Sequence, residues 1–256
     1  MAKTLKQIRA GRLVYAVVYT TPQPSDRGRQ RAQKQQASTA ARERLNARTS
    51  YQKLERTLAA NFDTGDLFVT LTYDDAHLPP DRETAVRRIR IFNTKLRKAR
   101  RARGQPLLYI YVTEEQTDSG RRLHHHMVVN STGADLEEIR RLWIYGDSVE
   151  VRRLTFDHIH TYEDLAGYLT KEPRELGHPE VGERTWTPSL GLKQPEPETE
   201  QVPDYLTLTP PPEAIVLANE GPVRNGYGEY AWIKYLLPRR PAERRPKARR
   251  RRRSKE

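Results

Sequence analysis

The chain has 256 residues, which is enough for one domain of ordinary size with extensions or for two small domains. It contains no cysteine, so a disulfide framework and a zinc ribbon are excluded. Its longest early apolar run, residues 13–19, is too short to span a bilayer, and we therefore expect a cytoplasmic protein with no membrane partner.

The formal net charge of +13 is concentrated at the C-terminal end. Residues 238–256 carry eleven Lys and Arg against two Glu, whereas the rest of the chain has a balance of only +4. Such a run of like charges repels itself and buries nothing, which predicts a disordered basic tail. Its expected partner is a nucleic acid, whose phosphates attract cations, and we predict that Arg249, Arg250 and Arg251 contact DNA.

Hydropathy periodicity predicts both strands and helices along the first 173 residues, with two of the strands joined by a hairpin. The predicted strands are 12–20, 67–73, 106–114, 123–130 and 148–154, and the predicted helices are one or two basic helices within 25–60, then 82–103, 135–144 and 161–172. This order predicts an α+β fold with a mainly antiparallel central sheet, helices packed on it, and a basic disordered C-terminal tail.

Composition divides the chain into four segments. Residues 1–60 are expected to hold an N-terminal strand and basic helices joined to the following domain. Residues 61–190 form that domain and contain the motifs described below. Residues 191–237 are rich in Pro and Glu and predict an extended segment with a late aromatic element, and residues 238–256 are the basic tail.

Three consecutive histidines lie in "GRRLHHHMVVN", residues 120–130. Because side chains alternate along a strand, His124 and His126 face one way and His125 faces the other. Two imidazoles two positions apart on one face are close enough to share a metal ion. The alternative is a surface histidine cluster, which the spacing alone does not exclude.

A third ligand is expected from the neighbouring strand, because the hairpin folds Glu114 and Glu115 back toward the histidines. Glu114 shares its strand face with Ile110 and Val112, and Glu115 would replace it if a β-bulge shifted the register. Two imidazoles and one carboxylate leave positions open for water or a phosphate oxygen. This mixed ligand set favours Mg²⁺ or Mn²⁺.

Tyr168 and Lys171 lie three residues apart on the polar face of the helix predicted at 161–172. A phenol is a poor nucleophile until its oxyanion is stabilised, and a metal-polarised phosphodiester opposite it would lower the barrier. The alternative is a core tyrosine beside a lysine whose stem lies along apolar surface.

The strand that carries "FVTLTYDDAHLP", residues 68–79, ends in polar residues. Thr72 and Asp74 could face the same edge as the histidines and support the site. Ordinary strand-to-turn chemistry explains these residues equally well.

These segments occur in the order "FVTLTYDDAHLP", "GRRLHHHMVVN", "YLTKE". In this order the chain resembles the HUH endonucleases, specifically the single-tyrosine rolling-circle replication initiators. It looks most like the replication-associated proteins of small single-stranded DNA phages and of related prophage or plasmid elements in bacteria. The resemblance covers roughly residues 60–190. One departure is His125, which stands where the family has a hydrophobic residue.

The resemblance implies a metal-dependent enzyme that nicks and rejoins single-stranded DNA at a replication origin, read with a hairpin, in a bacterial host cell. Tyr168 would be the nucleophile, forming a 5′-phosphotyrosine and freeing a 3′-hydroxyl. Lys171 would position the metal or neutralise the phosphate. The metal ligands would be His124, His126 and Glu114. The possible supporting residues would be Thr72, Asp74, Glu115 and His125. The DNA-binding residues would be Arg97, Arg100, Arg101, Arg121 and Arg122.

The sequence has no Gly-x-x-x-x-Gly-Lys phosphate loop, so a host helicase and polymerase are the expected partners. A plasmid relaxase or a single-tyrosine transposase would use the same residues. A basic nucleic-acid-binding regulator without catalysis, and an RNA-binding structural protein that acts through its tail, are alternatives from other classes. His158 and His160 form a second two-histidine pattern, which we interpret as a helix entry, and Tyr162 cannot share a helix face with Tyr168.

Overall fold

The protein is described by a computed structural model covering residues 3–20, 40–117, 120–133, 135–171, 185–225 and 228–239. The segment 21–39 and the predicted basic tail, with Arg249, Arg250 and Arg251, lie outside these residues. The elements, in chain order, are β1 (Lys3–Ala10), β2 (Leu13–Thr20), α1 (Ala40–Asn61), β3 (Leu67–Thr72), α2 (Arg82–Arg101), β4 (Tyr109–Thr117), β5 (Gly120–Val129), α3 (Asp135–Leu142), β6 (Val149–Arg153), α4 (Tyr162–Leu169), β7 (Thr187–Pro188), β8 (Pro197–Val202), β9 (Ile215–Asn225) and β10 (Gly228–Leu236).

The fold is α+β, as predicted, with helices and antiparallel strands, but the strands form two five-stranded sheets instead of one. The chain divides into two compact units. The terminal unit comprises residues 1–22 and 197–256, and the central unit comprises residues 23–196. These bounds differ from the four predicted segments because strands from both ends of the chain pair with each other.

The terminal unit is a sheet with strand order β8-β1-β2-β10-β9. The sequence predicted one strand at 12–20, but Lys3–Ala10 also forms a strand and pairs with β2 across the turn at Gly11, whose φ is 61°. The segment predicted to be extended after residue 191 supplies β8, β9 and β10. Polar sequences such as "PETEQV" in β8 form strands here because neighbouring strands satisfy their backbone groups.

The central unit has a sheet of order β6-β3-β5-β4-β7, with every pair antiparallel. Its two faces differ in chemistry because side chains alternate along each strand. One face, the core face, carries Val69, Leu71 and Met127 and is buried in the main hydrophobic cluster. The opposite face, the site face, carries Thr70 and His126.

Helix α2 covers the core face and confirms the helix predicted at 82–103 to within two residues. It begins after Asp81, whose side chain accepts a hydrogen bond from the backbone of Thr84 at 2.6 Å. Its buried residues Ile89, Phe92 and Leu96 join the cluster on the core face. The helix contacts β4, β5 and α3, so the core face lies beneath α2.

Helix α4 begins at Thr161, which caps it by accepting a hydrogen bond from the backbone of Glu163, and it contacts α1. It ends at Leu169, two residues before Lys171 and earlier than the predicted end at 172. None of the helices in the described ranges combines the length and apolar composition that crossing a membrane requires.

Candidate metal centre and nucleophile

The histidines of β5 alternate between the two faces of the central sheet. His124 and His126 are on the site face, where they stand opposite Thr72 and Thr70 of β3. On the other side, Glu114 of β4 stands directly opposite His124. Three neighbouring strands therefore place polar side chains around a single point on the sheet.

Three ligand atoms converge at that point. The Nε2 atoms of His124 and His126 are 3.1 Å apart, and each lies 3.6 Å from Oε2 of Glu114. Two ligand atoms that are each about 2.1 Å from one ion lie roughly 3.0 Å apart at a right angle and roughly 3.4 Å apart at the tetrahedral angle. The spacing of these three buried side chains therefore fits the first coordination shell of one metal ion.

Hydrogen bonds on the outer sides of the rings turn both Nε2 atoms inward. Nδ1 of His124 donates to the backbone carbonyl of Arg122 at 3.1 Å, and Nδ1 of His126 lies 3.2 Å from the hydroxyl of Thr70. Burial lowers the pKa of His126 to about 4, so its imidazole is neutral at pH 7. The two Nε2 atoms face each other across 3.1 Å, so a cation between them could be ligated by both rings.

Glu114 adds a second argument for a bound cation. The residue is only 2% exposed, and neither carboxylate oxygen has a hydrogen-bond partner among the described residues. Burial by itself raises the pKa of Glu114, but the nearby His124, His126 and Lys171 outweigh it and hold the pKa below its ordinary value. A buried carboxylate that stays ionised without hydrogen bonds is suited to metal ligation.

The β-bulge considered in the sequence analysis is present, but it does not replace Glu114. The register of β4 against β5 shifts between Glu114 and Gln116, so that Glu115 falls within the irregularity. Glu114 keeps its place opposite His124, and the group of possible metal ligands contains Glu114 but not Glu115.

Tyr168 of α4 lies directly against this group. Its hydroxyl oxygen is 2.9 Å from Nε2 of His126, and the two rings meet edge to face with centroids 5.0 Å apart. Phe68 of β3 stacks on His126 with a centroid distance of 5.4 Å and also meets the Tyr168 ring edge to face, with centroids 6.2 Å apart. Tyr168 remains 39% exposed, so the residue is open to solvent although it contacts the buried ligand group.

Lys171 stays beside Tyr168 although it follows the end of α4. Its Nζ lies 4.1 Å from the centre of the Tyr168 ring and 3.6 Å from Oε2 of Glu114. Burial opposes the charged form of Lys171, but the Glu114 carboxylate raises its pKa above the ordinary value. The site therefore has a fixed positive charge next to the phenol.

His125 is on the core face and does not reach the ligand group. Its Nδ1 lies 2.9 Å from the hydroxyl of Thr113, and its Nε2 lies 2.7 Å from the hydroxyl of Tyr73. Burial lowers the pKa of His125 to about 3, so it is neutral at pH 7. The structure thus places this residue in a buried network behind the sheet, separate from the predicted metal ligands.

The two residues predicted from the end of β3 have local roles. Thr72 is on the site face, but its hydroxyl donates to the backbone carbonyl of Ser148 at 2.8 Å. Asp74 caps the short 3-10 turn Asp75–His77 and pairs with His77. The residues of β3 that contact His126 are Thr70 and Phe68. Neither was predicted as a site residue, although both share the face of Thr72 in the strand's alternation.

The arginines predicted to bind DNA have different environments. Arg100 is fully buried, and its guanidinium bonds to Asp135 at 2.7 Å and to Asn130, so the prediction that it binds DNA is corrected to a structural role. Arg97 and Arg101 are exposed on α2. Arg122 is half-buried beside the site and pairs with Asp75, and the side chain of Arg121 is outside the described part of the structure.

The second two-histidine pattern does not form a ligand group with the described acidic residues. His158 and His160 are exposed in the bend before α4, and His160 bonds to Asp157. Tyr162 is buried and stacks on Phe156 with ring centroids 4.5 Å apart. Both observations agree with the interpretation of this segment as a helix entry.

Comparison with known proteins points to DNA replication. Residues 66–173, less than half of the chain, match the model of a family whose description begins "Replication-associated protein ORF2", a family of the rolling-circle replication initiator type. The matched range includes all of β3, β4, β5 and α4, and therefore the complete ligand group, Tyr168 and Lys171. No curated protein and no solved structure matched the chain significantly.

Proposed function

We propose that this protein is a metal-dependent, single-tyrosine DNA endonuclease and strand transferase that initiates rolling-circle replication. The proposal rests chiefly on one observation, the 2.9 Å separation between the hydroxyl oxygen of Tyr168 and Nε2 of His126. That distance puts an accessible nucleophile at the edge of a buried His-His-Glu group, and the family match to replication-associated proteins supports DNA as the substrate.

The chemical step is a transesterification. The phenolic oxygen of Tyr168 forms a bond to the phosphorus of a phosphodiester and loses its proton to solvent. The bond from phosphorus to the 3′ oxygen breaks, and that oxygen takes up a proton and leaves as a 3′-hydroxyl. One phosphoester bond replaces another, so the 5′-phosphotyrosine can be rejoined to a 3′-hydroxyl without ATP.

The protein's side chains have separate tasks in this step. His124, His126 and Glu114 would hold Mg²⁺ or Mn²⁺, which supplies Lewis-acid polarisation of the phosphodiester. Lys171, 4.1 Å from the ring centre of Tyr168, stabilises negative charge that develops on the phenolic and phosphoryl oxygens. Phe68 and Thr70 hold the ring of His126 in the orientation that faces Tyr168.

Under this proposal the substrate is single-stranded DNA at a replication origin that carries a hairpin. The 3′-hydroxyl released by the nick is the primer. A polymerase of the bacterial host cell would extend it in the cytoplasm while a host helicase unwinds the duplex ahead. Arg122, half-buried two residues from His124, would contact a phosphate next to the one that reacts.

The test is covalent capture of the cleaved strand. The full chain is incubated with Mn²⁺ and labelled single-stranded oligonucleotides from the genome around its own gene, and adducts are resolved on a denaturing gel. The unmodified protein should form an adduct, and Tyr168→Phe should reduce its formation by at least about a thousandfold. Tyr162→Phe, the same chemical change in the same helix, is the matched control and should retain the adduct.

Two results would contradict the proposal. An adduct that persists in Tyr168→Phe would show that another residue is the nucleophile. A folded protein that binds DNA but forms no adduct with any strand would identify a nucleic-acid-binding regulator instead.

A further inference from the structure

The outer surface of α2 is strongly basic. Only one acidic residue, Glu83, occurs in its sequence, and it is in the first turn. The exposed cations of this helix form a set that we call the basic stripe, consisting of Arg87, Arg90, Lys95, Arg97, Lys98 and Arg101.

The acidic residues near α2 are already neutralised by other arginines. Arg100 pairs with Asp135 at 2.7 Å, and Arg103, beyond the helix end, pairs with Glu138 at 2.6 Å. Arg87 has Glu83 at 3.6 Å, in a largely solvent-exposed pair. No ion pair with another described residue involves the stripe residues Arg90, Lys95, Lys98 and Arg101. The stripe therefore presents positive charge that the described part of the protein does not balance.

The stripe and the candidate nucleophile are on opposite sides of the central sheet. The buried side of α2 packs on the core face, through Ile89, Phe92 and Leu96. Tyr168 contacts His126 on the site face. A DNA segment bound along the stripe is therefore separated from the nicking site by the sheet and cannot be the same few nucleotides that react.

We infer that the basic stripe binds the phosphate backbone of double-stranded DNA while the site face acts on the single strand. This inference rests on the proposed function, which makes DNA the polyanion. Arg87 and Arg101 are fourteen residues apart, a rise of about 21 Å along the helix, which corresponds to roughly six base pairs.

The choice of duplex over single strand follows from the side chains of the stripe. Proteins that bind single strands combine cations with aromatic side chains on which bases stack. The exposed surface of α2 carries no aromatic residue, and its exposed apolar side chain, Ile91, offers no ring for stacking. A surface of cations alone recognises a regular array of phosphates, which the duplex supplies.

The experiment compares two variants of the full chain with equal loss of charge. The stripe variant is Arg87→Gln, Arg90→Gln, Lys95→Gln and Lys98→Gln. The control variant removes four exposed cations of the central unit outside α2, by Arg48→Gln, Lys53→Gln, Arg153→Gln and Lys193→Gln. Binding to a 20-base-pair duplex and to a single strand of 20 nucleotides is measured by fluorescence anisotropy over a range of salt concentrations, with EDTA present so that nicking plays no part.

The stripe variant should bind the duplex at least about tenfold more weakly. The slope of the logarithm of its association constant against the logarithm of the salt concentration should become less negative by about three to four. The control variant should stay within about threefold of the unmodified protein, and adduct formation by the stripe variant on a short single strand should be unchanged. The inference is overturned if both variants weaken equally, if neither weakens, or if the stripe variant loses single-strand affinity by the same factor. Because the binding titrations in EDTA need no nicking, failure of the proposed function would be seen separately, as absence of the adduct from the unmodified protein.

Discussion

The phenolic oxygen of Tyr168 and Nε2 of His126 are 2.9 Å apart, although the residues are 42 positions apart in the sequence. The contact joins α4 to the middle strands of the central sheet. It links the candidate nucleophile to a candidate metal ligand, so displacing the imidazole of His126 would also remove the contact that the oxygen of Tyr168 makes with it. Metal binding and nucleophile position should therefore depend on the same side chain.

This coupling can be tested by removing one imidazole. His126→Ala should lower the affinity for Mn²⁺ by at least about a hundredfold, because a ligand is lost, and should also abolish adduct formation. Isothermal titration calorimetry of the metal and the denaturing gel measure the two effects. His160→Ala removes an exposed histidine of the second pattern and should change neither quantity. Equal losses in both variants would refute the assignment of the site.

Glu114 and Glu115 provide a matched pair for testing the third ligand. Glu114→Gln keeps the size of the side chain but removes the charge from the buried group, so the affinity for Mn²⁺ should fall by about tenfold or more. Glu115→Gln changes the residue at the bulge and should leave the affinity within about threefold. The reverse order of effects, measured by the same titration, would move the ligand to Glu115.

The features predicted correctly from the sequence depend on local periodicity. The alternation of β5 separates His124 and His126 from His125, and the hairpin with β4 brings Glu114 opposite His124. Both follow from the two-residue repeat of a strand and from a short connection. The helix α2 is equally local, because its apolar residues recur with the helical period.

The features that were missed depend on contacts between distant segments. The pairing of β1 with β8 joins residues close to 200 positions apart, and nothing in either strand's sequence marks the other as its partner. Arg100 was predicted to bind DNA together with the other arginines of its helix, and its ion pair with Asp135 could not be foreseen because Asp135 belongs to another helix. Thr70 was passed over for Thr72 because the register of β3 against β5, which puts Thr70 opposite His126, is also a non-local property.

Thr70 should act as a positioning residue for His126. Thr70→Val removes the hydroxyl 3.2 Å from Nδ1 but keeps the shape of the side chain, so the imidazole loses the group that orients it. We expect the affinity for Mn²⁺ to fall by about tenfold to a hundredfold, with restoration in Thr70→Ser. Thr72→Val, which removes a bond to Ser148 instead, is the control and should retain affinity. Failure of Thr70→Ser to restore binding would indicate a packing role.

The buried ion pair between Arg100 and Asp135 should set the response of the central unit to acid. Burial by itself raises the pKa of Asp135, but hydrogen bonds from Thr132 and the charge of Arg100 outweigh it and hold the pKa below its ordinary value. Because the unfolded chain then binds the proton more tightly, the stability supplied by Asp135 is complete above about pH 4 and is lost as the pH falls through the lower, folded-state pKa.

Asp135→Asn should therefore destabilise the protein at pH 7 by about 3–5 kcal/mol, because it leaves the guanidinium of Arg100 buried without a counter-charge. Urea unfolding measures this difference. It should narrow as the pH is lowered below about 4, because the unfolded wild-type chain then takes up a proton that the folded chain binds less tightly. Asp157→Asn is the control, because Asp157 also has a lowered pKa, of about 2, held by hydrogen bonds from the backbone of His160 and Ile159, but does not pair with a buried cation. A difference between wild type and Asp135→Asn that stays constant from pH 7 to pH 3 would show that the variant acts through packing and not through charge.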